Sequence, residues 1–294
     1  MPADPVRVIL DCDTTKEVDD QFAIAYALGL PTETLDVRGV VSCQNTTAHG
    51  PASRDMYQEE AERVVALCGG GLPCLPGAAR PMENRRTPVG SEGLDFLVEE
   101  ARRGPLSMIS TGPATDAASL FLVASEVMSN VQLIWLGGFG SSESYRRFKF
   151  GELNGRADIA AWRVLLEAQV DLLQVPGCPG PAKLVVRAKP YAENLRALGR
   201  PVTGYLAEIL VGWGEGYEGD LDPRGEEILW DVSCVATVAD PGVVRMEEIT
   251  VPTLDAAGAY DFSRRGRTVD TLVDVNAPGV LKGLWEALMR LPVA

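Results

Sequence analysis

Basic residues are scarce: 27 Lys and Arg against 41 Asp and Glu leave a formal charge of −14 and a pI near 4.6. A surface of that sign repels phosphate backbones and anionic lipid, which argues against a nucleic-acid or membrane partner and favours a neutral or cationic ligand. Long apolar runs are missing as well. Nothing approaches the roughly 18 residues that span a bilayer, and no basic segment precedes an apolar one at the start, so the expectation is a cytoplasmic protein. The six cysteines form no CxxC pair, which leaves neither a disulfide framework nor a thiolate zinc site; most read as small buried hydrophobes. There is a single histidine, His49, in a Thr-Thr-Ala-His-Gly segment that reads as an exposed polar loop. No repeat, low-complexity tract or linker divides the chain, and residues 1–294 are expected to form one domain.

What is present is ordinary globular material, with 46% hydrophobic and 23% charged residues. Short apolar runs alternate with helical patterns, the mark of an α/β fold: an open, mostly parallel, Rossmann-like sheet with helices on both faces. The spacing predicts strands over Val6 to Leu10, Leu35 to Ser42, Leu106 to Ser110, Val131 to Leu136, Asp171 to Val175 and Val244 to Val251. Helices are predicted over Asp19 to Leu30, Ala52 to Leu67, Gly90 to Arg103, Asp116 to Val127, Asp158 to Ala168 and Tyr191 to Trp213, with a Gly- and acid-rich lid segment around 214–229.

Ligands of open parallel sheets sit beyond the carboxyl ends of the strands. The first such end carries Asp11-Cys12-Asp13-Thr14-Thr15-Lys16-Glu17-Val18-Asp19-Asp20, five carboxylates in ten residues running into an apolar helix. Helix caps and a solvated acidic loop account for one or two of them. Four converging aspartates need a cation, and oxygen ligands without nearby His or Cys select a hard ion, Ca²⁺ or Mg²⁺. The spacing is not that of an EF-hand, since Lys16 stands where its glycine belongs. Asp11-x-Asp13-x-Thr15 also admits a haloacid-dehalogenase-like phosphotransferase reading, with Ser110-Thr111 as the downstream hydroxyl.

The same residues resemble the inosine-uridine preferring nucleoside hydrolase family, which opens with a strand, Asp-x-Asp-Pro-Gly-x-Asp-Asp and an apolar helix. Here the Pro-Gly turn is absent and the loop is two residues longer. Further segments match in order: Ile109-Ser110-Thr111-Gly112-Pro113-Ala114-Thr115-Asp116, Trp135-Leu136-Gly137-Gly138, Glu152-Leu153-Asn154 with Asp158, and Trp230-Asp231.

The resemblance implies a Ca²⁺-dependent N-ribohydrolase that cleaves the N-glycosidic bond of nucleosides, purine nucleosides above all, and assembles as a homodimer or homotetramer. By the same resemblance Asp13 is a metal ligand and the general base, Asp20 and Asp231 are side-chain ligands, and Thr111 gives its backbone carbonyl. Asp19 accepts from a ribose hydroxyl, Glu152 and Asn154 hold the outer sugar hydroxyls, Asn45 contacts substrate, and Asp11 supports from behind. Trp230 stands where some members have a histidine acid, and Arg146 stands six residues before Glu152, where an asparagine would reach the 5′ end of the sugar. These departures keep open a different N-riboside or modified ribose as substrate, and a nucleoside or sugar binder without catalysis.

Overall fold

A computed structural model describes residues 4–15, 17–148, 152–216 and 225–293. Eight strands form one sheet in the order β3-β2-β1-β4-β5-β6-β10-β9. They are β1 (Val6–Cys12), β2 (Leu35–Ser42), β3 (Cys74–Pro76), β4 (Leu106–Ser110), β5 (Val131–Leu136), β6 (Asp171–Val175), β9 (Val244–Leu254) and β10 (Tyr260–Val275). A separate antiparallel pair joins β7 (Val185–Arg187) to β8 (Glu226–Ile228). Every pairing in the large sheet is parallel except that of the edge strand β9 with β10. The fold is therefore the mostly parallel α/β sheet that the alternating pattern implies.

The central strands are continuous apolar runs because both sheet faces are covered. One core cluster includes Val8, Leu10, Phe22, Ile24, Val235 and Leu284; the other includes Ile9, Met108, Leu133, Trp135, Leu165 and Trp162. Ile9 and Leu10 are adjacent in sequence yet lie in different clusters, as the alternation of a strand requires. No helix among the described residues is long and apolar enough to cross a membrane.

The chain leaves β1 for β2 and β3 on one side and returns to β4 on the other, so the strand order reverses beside β1. That reversal opens a crevice at the carboxyl ends of β1 and β4. The acidic run lies at that point.

Three expectations change. The helix expected over Tyr191 to Trp213 is two, Ala188–Ala197 and Pro201–Gly216. Gly199 at φ +65° ends the first and Pro201 opens the second, a left-handed stop followed by a residue pre-set for a first turn. The helix expected to reach Val127 ends at Val123 and gives way to a 3₁₀ segment, Ser125–Asn130. Of the expected lid around 214–229, residues 217–224 lie outside the described residues, and Glu226–Ile228 is strand.

Candidate active site

Asp11 and Ser110 are register partners in the β1–β4 pair, and Ser110 Oγ donates to Asp11 Oδ2 at 2.8 Å. The chain then leaves the sheet. Thr14 donates its hydroxyl to the Tyr57 carbonyl at 2.7 Å, and Thr15 takes φ +72°, a left-handed conformation unusual for a threonine. The turn delivers Asp19 and Asp20 to the first turn of helix Asp19–Gly29, where the free N–H groups favour negative charge. Asp231 arrives from the far end of the chain at the start of helix Val232–Ala239, and its N–H donates to Asp19 Oδ2 at 3.3 Å.

Asp19, Asp20 and Asp231 each bring a carboxylate oxygen within 4.8 Å of the others, and all three are buried. Thr111 Oγ1 donates to Asp20 Oδ1 at 2.7 Å. Asn45 Nδ2 donates to Asp13 Oδ2 at 2.6 Å. Burial pushes Asp20 up to about 6, against the hydrogen bond from Thr111. Asp231 is driven well above the carboxylate range by burial and then by the charges of Asp19 and Asp20, and Asp19 by burial followed by Glu17 and Asp20. Three desolvated carboxylates in mutual repulsion, with oxygen donors only, suit a hard divalent cation.

One cleft holds these groups. Its walls include Asp13, Glu17, Asp19, Asp20, Thr111 and Asp231 at one end, and Gly137, Gly138, Phe139, Glu152, Leu153 and Asn154 at the other. Gly177, Cys178 and Trp230 complete it, and its apolar walls with a few convergent polar groups suit a small ligand. Glu152 is fixed by N–H donors, Gly138 at 3.1 Å and Gly155 at 2.9 Å, while burial still raises it to about 6. Asn154 Nδ2 reaches the carbonyls of Thr111 at 2.6 Å and Leu136 at 2.9 Å, tying the sugar-side loop to the acidic end.

The structure thus gathers Asp13, Asp19, Asp20, Thr111, Glu152, Asn154, Trp230 and Asp231 around one cavity. Asn45 is buried behind Asp13, and Asp11 is fully buried behind the strand ends. A nucleophile must reach its substrate, and Asp11, unlike Asp13, does not line the cleft, which removes the phosphotransferase reading. Asp19 stands in the carboxylate trio rather than apart from it. Arg146 lies exposed on helix Ser142–Phe148 and outside the cleft lining, because its position on the helix faces solvent. His49 is exposed, with Nδ1 at 2.9 Å from the Tyr57 hydroxyl, and is also outside the lining.

The strand-end rule, followed past β6, would have found Gly177 and Cys178. Glu17 stood in the acidic run without a role, although its place in the lengthened loop was the available signal.

A mostly parallel α/β sheet with a buried carboxylate cluster in the cleft at its strand-order reversal is an open α/β fold with its ligand site at the switch point. The chain belongs to the inosine-uridine preferring nucleoside hydrolase family, whose sequence profile matches residues 8–282. The pyrimidine-specific ribonucleoside hydrolase RihA of Escherichia coli O1:K1 is 22% identical over 228 residues, which cover 69% of this chain and 70% of that one. Among solved structures, the purine-preferring ribonucleoside hydrolase of Gardnerella vaginalis superposes with a TM-score of 0.77 at 19% identity, covering 96% of this chain and 98% of its own. An inosine-guanosine nucleoside hydrolase superposes at 0.76 with 15% identity, covering 98% and 99%.

Proposed function

We propose that the chain is a Ca²⁺-dependent N-ribohydrolase that releases the base from purine nucleosides. The observation that carries the reading is the convergence of Asp19, Asp20 and Asp231 beside Asp13 and Thr111 in one cleft. Asp13, Asp20, Asp231 and the Thr111 carbonyl would hold the ion, with Asp19 close enough to share in the site. When bound, the ion lowers the pKa of a water and orients the ribose diol.

Cleavage of the N-ribosidic bond develops positive charge on the sugar, so the site must hold the ribose, remove a proton from water and let the base depart. Asp13 takes the proton from the attacking water, with its carboxylate aligned by Asn45. Asp19 accepts from a ribose hydroxyl, and the buried carboxylates favour the oxocarbenium charge over the neutral ground state. Glu152, held by the Gly138 and Gly155 N–H groups, accepts from the sugar hydroxyl at the far end. Asn154 braces the loop on which both stand.

No histidine lines the cleft; Trp230 lies half-buried in its wall, with the Gly177 backbone against the edge of its indole. An indole stacked on a purine favours the ring protonated at N7 by a cation–π contribution of about 0.5–2 kcal/mol. A pyrimidine has no N7 to protonate. The relatives include both purine-preferring and pyrimidine-specific hydrolases, and Trp230 supports purine here. Inosine and uridine hydrolysis by the wild-type chain and by Trp230→Ala test the assignment. Inosine should be the faster substrate and should lose at least tenfold in kcat in the variant. Faster uridine cleavage, or unchanged inosine turnover in Trp230→Ala, contradicts it.

A further inference from the structure

Phe139 stands in the walls of two adjoining spaces: the acidic cleft, and a groove of about 860 Å³ bounded by Ser141, Ser142, Thr250, Phe262, Arg264 and Arg265. The two differ sharply in charge. The first gathers six carboxylates, whereas no acid among the described residues lines the second, in a chain that carries 41 of them. Arg264 lies 3.7 Å from Asp261, three residues earlier on β10, and its side chain remains 78% exposed. Arg265 is exposed and has no ion pair among the described residues. Two guanidinium groups, one of them paired with Asp261, and two serine hydroxyls surround one opening, a donor set that suits a phosphate.

The partition between the spaces is rigid. Phe139 packs edge-on against Tyr145 and Tyr260 at ring separations of 5.2 and 5.9 Å, its N–H points to the Tyr260 hydroxyl at 3.4 Å, and Phe262 stacks on from Tyr260 at 5.8 Å. Gly138, Phe139 and Glu152 form the end of the cleft assigned to the outer sugar hydroxyls. A 5′ substituent directed to that side of the sugar would meet Phe139, the residue that the cleft shares with the groove.

We propose that the groove is a subsite for the 5′-phosphoryl group of a phosphorylated nucleoside, with Arg264 and Arg265 as its anion-binding residues. The ribose and base occupy the acidic cleft and the phosphate lies beyond Phe139, so the net negative charge of the chain is overcome locally. Arg264 and Arg265 thereby set specificity for a 5′-charged substrate without touching the bond that breaks. The inference rests on the ribohydrolase reading above.

The test compares kcat/KM for inosine, inosine 5′-monophosphate and inosine 5′-diphosphate in wild type, Arg264→Ala, Arg265→Ala and the double variant. Wild type should cleave at least one phosphorylated form with kcat/KM equal to or above that of inosine. The double variant should lose about ten- to hundredfold for that form, mainly in KM, while inosine changes less than about twofold. Raising the salt concentration should erode the phosphorylated form's advantage in wild type and not in the double variant. Inosine cleavage with both phosphorylated forms much poorer, or equal losses for inosine and its phosphates in the variants, overturns the inference and leaves the ribohydrolase reading standing. Failure to cleave any of the three substrates counts against the ribohydrolase reading, and direct binding of inosine 5′-monophosphate then decides the subsite: arginine-dependent affinity supports it and arginine-independent affinity overturns it.

Discussion

Asn45 holds Asp13 from behind: its amide donates to Asp13 Oδ2 at 2.6 Å across 32 positions of sequence, and both residues are buried. A carboxylate that is to take a proton must present a fixed oxygen, and Asn45 supplies that orientation through a charge-assisted bond. Asp13→Asn keeps the shape and removes the acceptor, so kcat should fall by about 10²–10⁴-fold with a much smaller change in KM. Asn45→Ala should cost less, about tenfold in kcat, because the base remains and only its alignment is lost. Steady-state kinetics on both variants check the order, and near-normal turnover in Asp13→Asn moves the base elsewhere.

Gly112 makes room for that base. A Cβ at this position would lie 2.4 Å from Cys43 Sγ and 3.1 Å from the Asp13 Cβ. Gly112→Ala should destabilise the chain by about 1–3 kcal/mol through overpacking and lower activity by displacing Asp13. Adding Cys43→Ala should recover part of the stability, since contacting residues couple. Gly90→Ala, where nothing lies within 4 Å of the added carbon, is the control expected to be neutral. Thermal unfolding of Gly112→Ala, Cys43→Ala, the double variant and Gly90→Ala measures the coupling.

Two buried acids outside the cleft make opposite contributions to the pH dependence of stability. Burial works to raise Glu100, but the hydrogen bonds and charges of Arg38, Arg7 and Arg103 outweigh it and hold the group below the usual carboxylate range. Its contribution is full above the unfolded value of about 4.3 and is lost as pH falls through the lowered folded value. Asp116 is pushed by burial up to about 7, despite the 2.8 Å hydrogen bond from Ala78 N–H. Between the unfolded value of about 3.9 and about 7 the folded chain holds an extra proton, so this group's contribution to stability grows as pH falls through that window. Glu100→Gln should cost about 1–3 kcal/mol at pH 7. Asp116→Asn should instead flatten the slope of stability between pH 4 and 7. Denaturant unfolding over this pH range distinguishes the two, and an unchanged slope in Asp116→Asn refutes the assignment.

The sequence made the central strands legible because Val6–Cys12, Leu106–Ser110 and Val131–Leu136 are apolar runs covered on both faces. β1 nevertheless runs two residues past its expected end, since pairing with Ser110 buries Asp11, which read as loop. β10 escaped notice for the converse reason: Ser263, Arg264 and Arg265 are exposed and polar, the two arginines charged, so the strand shows no continuous apolar face. β3 has three residues and ends in Pro76, too short for any period to register. In the site, residues next to a strand end were readable because the sheet dictates where they point. Arg146 was not, because a spacing counted along a loop and a short helix does not fix the direction of its side chain. Phe139 carries no chemical signature and emerges only from the shape of the cleft.

The central claim is that a divalent ion held by the buried carboxylates is required for cleavage of a nucleoside. Its most direct test is the release of ribose from inosine by chain stripped with a chelator and then titrated with Ca²⁺, with the melting temperature followed in parallel. The account predicts that stripping abolishes turnover and that Ca²⁺ restores it. Ca²⁺ should also raise the melting temperature of the wild type, because binding to the folded state adds to its stability, while Asp20→Ala and Asp231→Ala show neither response. Full turnover by the stripped chain, with no metal by elemental analysis and no thermal response to Ca²⁺, would contradict it.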